Sequence, residues 1–517
     1  MNTKPGASEQ ARVSRRPRTS GQPLDKAARI MMAALGGLIA IMLLLGSQSL
    51  LQVRSFSWQG KSVSPEDVAF SLTFSRPVVT ESVEQNLRIE PELLGKFSWA
   101  GRKMAYTLTV PAVYGQTYEV SLPEADALLS PVEFEPFQST FKTRDRMFAY
   151  IGAAGEESGR IVIFNLTDQK KTILTPESQR VMDFKVYPNR DRILYSAVPS
   201  ENQNNGLLAS AQLYTITTGL AQPAEFPAWQ FWKSEPEPVA GEVETLLSNE
   251  DYQNLKFDLS ANGEVIVIQR VGKENPADSG PWILAAGEAP RKLESEPGGD
   301  FTIAPDSTSL LLQQGEGTAV IELSPDPDSE KPDELLDFLP DYGLTLDIAS
   351  DGSAAALVNF NQDDPEKRFT QSLFWVSNRG EEKALLETEG SIMSAQFGDR
   401  NQVLYCLVNE LIGDEDNYIV MPYLTAINVE TGEEERLIEM PPQSDITVAL
   451  SPDGLAILFD EALSDEPQTL DDGSTSPTHR LWLLPLFSTS EERLAGDPVS
   501  LPPTELDIAG RSPTWLP

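Results

Sequence analysis

The chain has 517 residues, too many for one ordinary domain, and its 40% hydrophobic and 8% aromatic content excludes bulk disorder. A formal net charge of −38 gives a surface that repels nucleic acid and anionic lipid, and favours cations, basic partners or plain solubility. The single cysteine, Cys406, excludes an intrachain disulfide.

Residues 1–29 form a polar, basic tail in which Lys4, Arg12, Arg15, Arg16, Arg18, Lys26 and Arg29 outweigh Glu9 and Asp25. An uncharged stretch, IMMAALGGLIAIMLLLGSQSLLQV, runs from Ile30 to Val53. About 20 mostly apolar residues suffice to span the hydrocarbon core of a bilayer. Basic residues before a span hold that end in the cytoplasm. Residues 30–53 are therefore expected to be a transmembrane helix, with everything after Arg54 outside the cytoplasm. The alternative is a cleaved signal peptide, but the apolar run is long and no A-x-A site follows it. No cysteine follows the run to carry a lipid, and SRRPRT lacks the rest of a twin-arginine export signal.

Residues 54–145 contain short segments of alternating apolar and polar character, VAFSLTF, NLRIE, GKFSWA, AYTLTV, TYEVSL and STFKT, broken by Pro and Gly. That is the pattern of a half-buried antiparallel sandwich. The phrase SLTFSRPVV, the I-x-P step, GQTYEVSL and the closing FQSTFKT resemble the bacterial Ig-like domain of surface-layer and cell-envelope proteins. The resemblance implies a spacer or adhesive module.

Residues 146–517 carry a repeat. Turns fall near Pro188-Asn189, Asn262-Gly263, Pro305-Asp306, Asp351-Gly352, Gly398-Asp399 and Pro452-Asp453-Gly454, the later ones 44, 45, 48 and 54 residues apart. Each is followed by an apolar strand (RILYSAV, EVIVIQRV, SLLLQQ, AAALVNF, QVLYCLV, LAILF) and then by a second (QLYTIT, PWILAA, TAVIEL, SLFWVS, LTAINV, RLWLLPL). Periods of this length with strand-like runs predict a β-propeller of four-stranded blades. MFAYIG, GRIVIFNL and KTILT lack an inner strand before them, and the C-terminal GRSPTWLP matches only an inner strand. The end of the chain is therefore expected to complete the first blade, giving seven blades, with six as the alternative. The S-P-D-G turn and its degraded copies resemble the TolB-type and related WD-like propellers of bacterial envelopes. The resemblance implies protein–protein contact and no particular reaction.

Catalysis is not expected. A Ser-His-Asp triad needs a histidine, and the only one, His479 in SPTHRLW, has no G-x-S-x-G beside it. Zinc lacks a His/Cys ligand set, and no phosphate-binding glycine loop is present. GDEDNY (413–418) and LDDGST (470–475) are acidic but do not fit a calcium loop. Cys406, in VLYCLV, reads as a buried inert thiol.

The expectation is an all-β, single-pass protein of the bacterial cytoplasmic (inner) membrane, with its membrane contact through its own N-terminal helix. It would have a sandwich stalk and an extracytoplasmic propeller head that binds or scaffolds envelope proteins, with no cofactor and no nucleic acid. A propeller hydrolase or lyase acting on envelope glycans or peptides through carboxylates is the alternative; an envelope sensor is a third. Partner contact is expected opposite the S-P-D-G turns, through the acidic connections 361–368, 409–418 and 460–479. Phe226, Trp229, Phe231 and Trp232, within 225–244, are candidate anchors there.

Overall fold

The computed structural model describes residues 23–46, 50–64, 67–129, 132–200, 210–220, 238–285, 288–315, 317–323, 335–362, 364–398, 400–414, 417–443, 445–469 and 475–517. The first element is the helix Pro23–Gly46. Ile30, Met31, Met32, Leu35, Leu38 and Ile39 are all at least half exposed along it. Among the described residues no helix is long and apolar enough to cross a membrane. The side chains of residues 40–46, which belong to the expected span, lie outside the description.

The expected span of 30–53 is also not one element. The described helix reaches Gly46, residues 47–49 lie outside the described residues, and Val53 opens the strand Val53–Phe56. Leu51 is fully buried in the sandwich core. An apolar run does not reveal whether its last residues are apolar for lipid or for a protein core, and here they serve the core.

The sandwich has two sheets. One runs Val53–Phe56, Ala69–Phe74, Lys103–Leu108, Gly95–Ala100; the other Ser62–Val63, Phe137–Thr143, Thr117–Leu122, Arg88–Glu90. Alternation does what was expected of it: Phe70, Leu72 and Phe74 point inward from one strand, and Tyr118, Val120 and Leu122 from another. Without a disulfide the core rests on aromatic contacts, Trp58 against Phe141 at 4.9 Å and Tyr118 stacked on Phe141 at 5.2 Å.

From Met147 the described residues form five four-stranded sheets and one of seven strands. The five are consecutive: A (179–247), B (252–292), C (301–339), D (344–388) and E (391–439). The seven-stranded sheet, F, runs Lys170–Ile173, Ile161–Asn165, Met147–Gly152, Thr504–Trp515, Thr475–Pro485, Ala456–Thr469, Val448–Leu450. It unites the first strands of this half with the last. Apolar clusters fill the space between F and A, A and B, B and C, D and E, E and F, and between the two halves of F. Between C and D, Tyr342 meets Phe374 edge-on at 5.5 Å. The sheets thus pack face to face in a closed ring, a β-propeller. Each second strand is covered on both faces by neighbouring sheets, which is why those segments read as unbroken apolar runs.

The repeated turn has one geometry. Arg190, Gly263, Ser307, Gly352, Asn401 and Gly454 each donate a backbone N–H to the carbonyl three residues back, at 2.8–3.0 Å. Each has a positive φ, between 57° and 75°. Only half of these positions are glycine; the others tolerate a strained conformation because the flanking strands hold it.

Candidate functional site

The inner strands of the sheets surround the axis, and each has one edge without a strand partner. Side chains from the neighbouring sheet satisfy those edges. Asp258 Oδ2 accepts from Ile303 N at 2.9 Å, linking B to C, and Asp347 Oδ2 accepts from Phe397 N at 2.7 Å, linking D to E. Gln396 accepts from Leu450 N at 2.8 Å and donates to Val448 O at 2.7 Å, linking E to F. A buried backbone group left unpaired is costly, so these are structural acids and amides. They line an axial cavity of about 780 Å³, together with Lys185, Lys256, Phe301 and Ser394. Lys185 pairs with Asp258 at 3.2 Å and Lys256 with Asp300.

A further acid, Asp460, is buried at 1% exposure. Its carboxylate accepts from Thr447 N at 2.6 Å and from Ser512 N at 2.8 Å, tying the last inner strand to its own sheet. Burial pushes its pKa up to about 6, against the two backbone donors and Arg511, which favour the charged form. The folded protein therefore holds this proton more tightly than the unfolded chain. The stability so contributed is complete below pH ~4 and lost as the pH rises through ~6. Relative to Asp460→Asn, which does not titrate, the wild type is expected to lose about 1–3 kcal/mol between pH 4 and 6.5. Urea unfolding of both proteins across that range checks this; a constant difference would contradict it.

Nearby lies His479, buried at 9% exposure, with Nδ1 unpartnered. It pairs in register with Ala462, whose N–H donates to Gln443 Oε1 at 2.6 Å. Burial first, and then Arg511, lower the imidazole pKa, opposed by Asp445, so it is neutral at pH 7. Among the described residues it makes no hydrogen bond to a serine or a carboxylate. Cys406 is wholly buried, and burial drives its thiol pKa up, away from the reactive range. No group of three or more His, Cys, Asp or Glu among the described residues could hold a metal ion.

One end of the axis is covered by the sandwich, and the S-P-D-G turn makes the joint. Asp453 is 0% exposed. Its carboxylate accepts from Arg146 Nη2 at 2.6 Å, Ser451 Oγ at 2.6 Å, Leu455 N at 3.2 Å and Tyr114 N, in the sandwich, at 3.5 Å. Arg493 Nη2 donates to the sandwich carbonyl of Pro111 at 2.6 Å. Arg493 is set by the short helix Ser490–Ala495, which opens on a Thr489/Glu492 capping box and closes on left-handed Gly496.

The opposite face carries the expected acidic connections, and two of them are not loops. Val403–Asp414 and Asn417–Asn428 remain paired as far as Asp414 and Asn417. Ala456–Thr469 and Thr475–Pro485 likewise stay paired as far as Thr469 and Thr475. Charged residues read as loop in a sequence, but a hairpin arm standing in solvent tolerates them on both faces. The arm of sheet E has strands of 12 residues where those of sheet D have 6 and 7, so it projects on the order of 15 Å further. It is not uniformly polar. Leu411 (38% exposed), Ile412 (51%), Tyr418 (60%) and Ile419 (57%) lie on it, and Phe369 (87%) and Met393 (45%) lie at the same end of sheets D and E. Trp229, Phe231 and Trp232, with Phe226, fall outside the described residues, as do 415–416 and 470–474 of the acidic segments.

No protein-family model matches the chain, and no curated protein matches it. Among solved structures, the periplasmic gluconolactonase of Pseudomonas aeruginosa is similar at 11% identity and a TM-score of 0.40, covering 72% of this chain and 99% of that one. TolB from Acinetobacter baumannii is similar at 9% identity and a TM-score of 0.36, covering 84% of this chain and 83% of that one. Oligogalacturonate lyase from Vibrio parahaemolyticus is similar at 10% identity and a TM-score of 0.37, covering 58% and 79%. These proteins include enzymes and a non-enzyme, and at such scores they carry no argument about activity.

Proposed function

We propose that the chain is a non-catalytic binding or scaffolding protein of the bacterial envelope, anchored in the cytoplasmic membrane by its N-terminal helix. An Ig-like stalk carries a seven-bladed propeller head outside the cytoplasm. The count of seven divides sheet F within the strand Thr504–Trp515, whose two ends serve two different blades. The basic tail and the exposed apolar helix after it support the anchored orientation. The stalk sits on the S-P-D-G face, so the opposite face would point away from the membrane.

The observation that carries the reading is the apolar tip of the sheet E arm. Exposed apolar residues grouped on one projecting hairpin of so acidic a chain mark an interaction surface. Glu410, Asp414, Glu415 and Asp416 stand beside them in the sequence. The fitting partner is an envelope protein that offers an apolar anchor flanked by Lys or Arg.

A photo-cross-linking residue at position 412, used in whole cells, is expected to give an adduct whose mapped peptide is basic and apolar. Adding Ile419→Asp should reduce that adduct at least tenfold while leaving thermal unfolding unchanged. No adduct, or one indifferent to Ile419→Asp, would remove this surface from the account.

A further inference from the structure

Sheet D folds its own connection into a second feature of the same face. After Asn359 the chain makes three successive turns, closed by Asn361 O to Asp364 N (3.2 Å), Asp364 O to Lys367 N (3.1 Å) and Lys367 O to Thr370 N (2.8 Å). Asn361, at φ 52°, locks the base of the loop, its Nδ2 donating to Thr370 Oγ1 at 2.8 Å and Ser372 Oγ at 2.9 Å. Between this loop, the outer strand at 384–387 and Pro340-Asp341 lies a cleft of about 640 Å³. That volume is within the ~300–1,000 Å³ usual for small-molecule sites.

The lining selects a ligand class. Phe360, Phe374 and Leu386 supply apolar surface. Asn359 accepts from Asn361 N at 2.7 Å, which leaves its amide NH₂ without a protein partner among the described residues. The amide of Gln362 and the carboxylate of Asp341, both exposed, likewise have no protein partner there. The one ammonium in the cleft, Lys367, is taken up by Glu387. Asp341 and Asp364 therefore disfavour an anion, while the free amides and the Asp341 carboxylate disfavour a purely apolar guest. A ring with an apolar face and hydroxyls around its rim satisfies both halves of the lining.

We infer that this cleft binds a neutral saccharide, one or two sugar rings lying against Phe360 and Phe374 with their hydroxyls on Asn359, Gln362 and Asp341. The site stands apart from the arm of sheet E and does not depend on the partner proposed there.

Titration calorimetry of the detergent-solubilised full chain tests it, with tri-N-acetylchitotriose and cellotriose as neutral probes and trigalacturonate as the acidic control. At least one neutral trimer is expected to bind saturably and the acidic trimer to bind at least tenfold more weakly. Asp341→Asn with Gln362→Ala, at exposed positions, should weaken the neutral trimer tenfold or more with the unfolding midpoint unchanged. Ile412→Asp should leave it unaffected. Absence of saturable binding by both neutral trimers, equal binding of the acidic one, or full binding by the double variant would overturn the inference.

Discussion

Removing residues 512–517 is expected to unfold the propeller. Those residues pair with the first strand of one half of sheet F and hydrogen-bond to the other half. Thr514 and Trp515 pair with Ala149 and Phe148. Leu516 N donates to Met147 O at 3.0 Å, and Trp515 Nε1 donates to Ala449 O at 3.0 Å, across to the other half of sheet F. Trp515 is 6% exposed and lies edge-on to Phe148 at 5.8 Å; Leu516 is 3% exposed. Trp515→Ala alone should cost about 3–5 kcal/mol, the usual cost of emptying a buried tryptophan site. The truncation adds an open sheet edge and removes the Ser512 N–H that donates to the Asp460 carboxylate. Against a total stability of roughly 5–15 kcal/mol for a folded domain, that is enough to abolish cooperative unfolding. Circular dichroism against urea, with a hydrophobic dye reporting exposed surface, checks it. A truncated chain that unfolds at the wild-type midpoint would show that the ring closes elsewhere.

Asp453→Ala is expected to cost about 3–5 kcal/mol, because it leaves Arg146 without its buried counter-ion and strips the S-P-D-G turn of its acceptor. The same change in an equivalent turn provides the contrast. Asp351 is exposed, its Oδ1 accepts from Ser353 N at 2.9 Å, and among the described residues it makes no hydrogen bond to the sandwich; Asp351→Ala should cost no more than about 1 kcal/mol. The two aspartates have the same local sequence role, so the difference measures the joint with the sandwich. Limited proteolysis should cut the connection at 143–147 faster in Asp453→Ala than in Asp351→Ala. Equal destabilisation by the two would mean that Asp453 serves its turn alone and the sandwich sits on the propeller without it.

What the sequence determined by itself is the part of the fold with local causes. A turn that closes within three residues needs particular residues at particular places, so six copies were visible even where Arg190, Ser307 and Asn401 replaced glycine. A strand covered on both faces must be apolar throughout, so VLYCLV and LAILF stood out. The unmatched GRSPTWLP announced the closing strand, because a ring leaves no strand over. Other features were decided only by tertiary structure. Nothing in the neighbourhood of Asp453 sets it apart from Asp351 as the aspartate under the sandwich; its burial comes from residues more than three hundred positions away. The place of Leu51 in the sandwich depended on which core the apolar residues joined. The acidic hairpin arms were hidden for the converse reason: their charged, turn-like residues carry no apolar alternation, and only the backbone pairing shows them to be strands. The cleft of sheet D has no signature in sequence at all, since its free amides become a site only after the loop folds over the outer strand and the strand supplies the other wall.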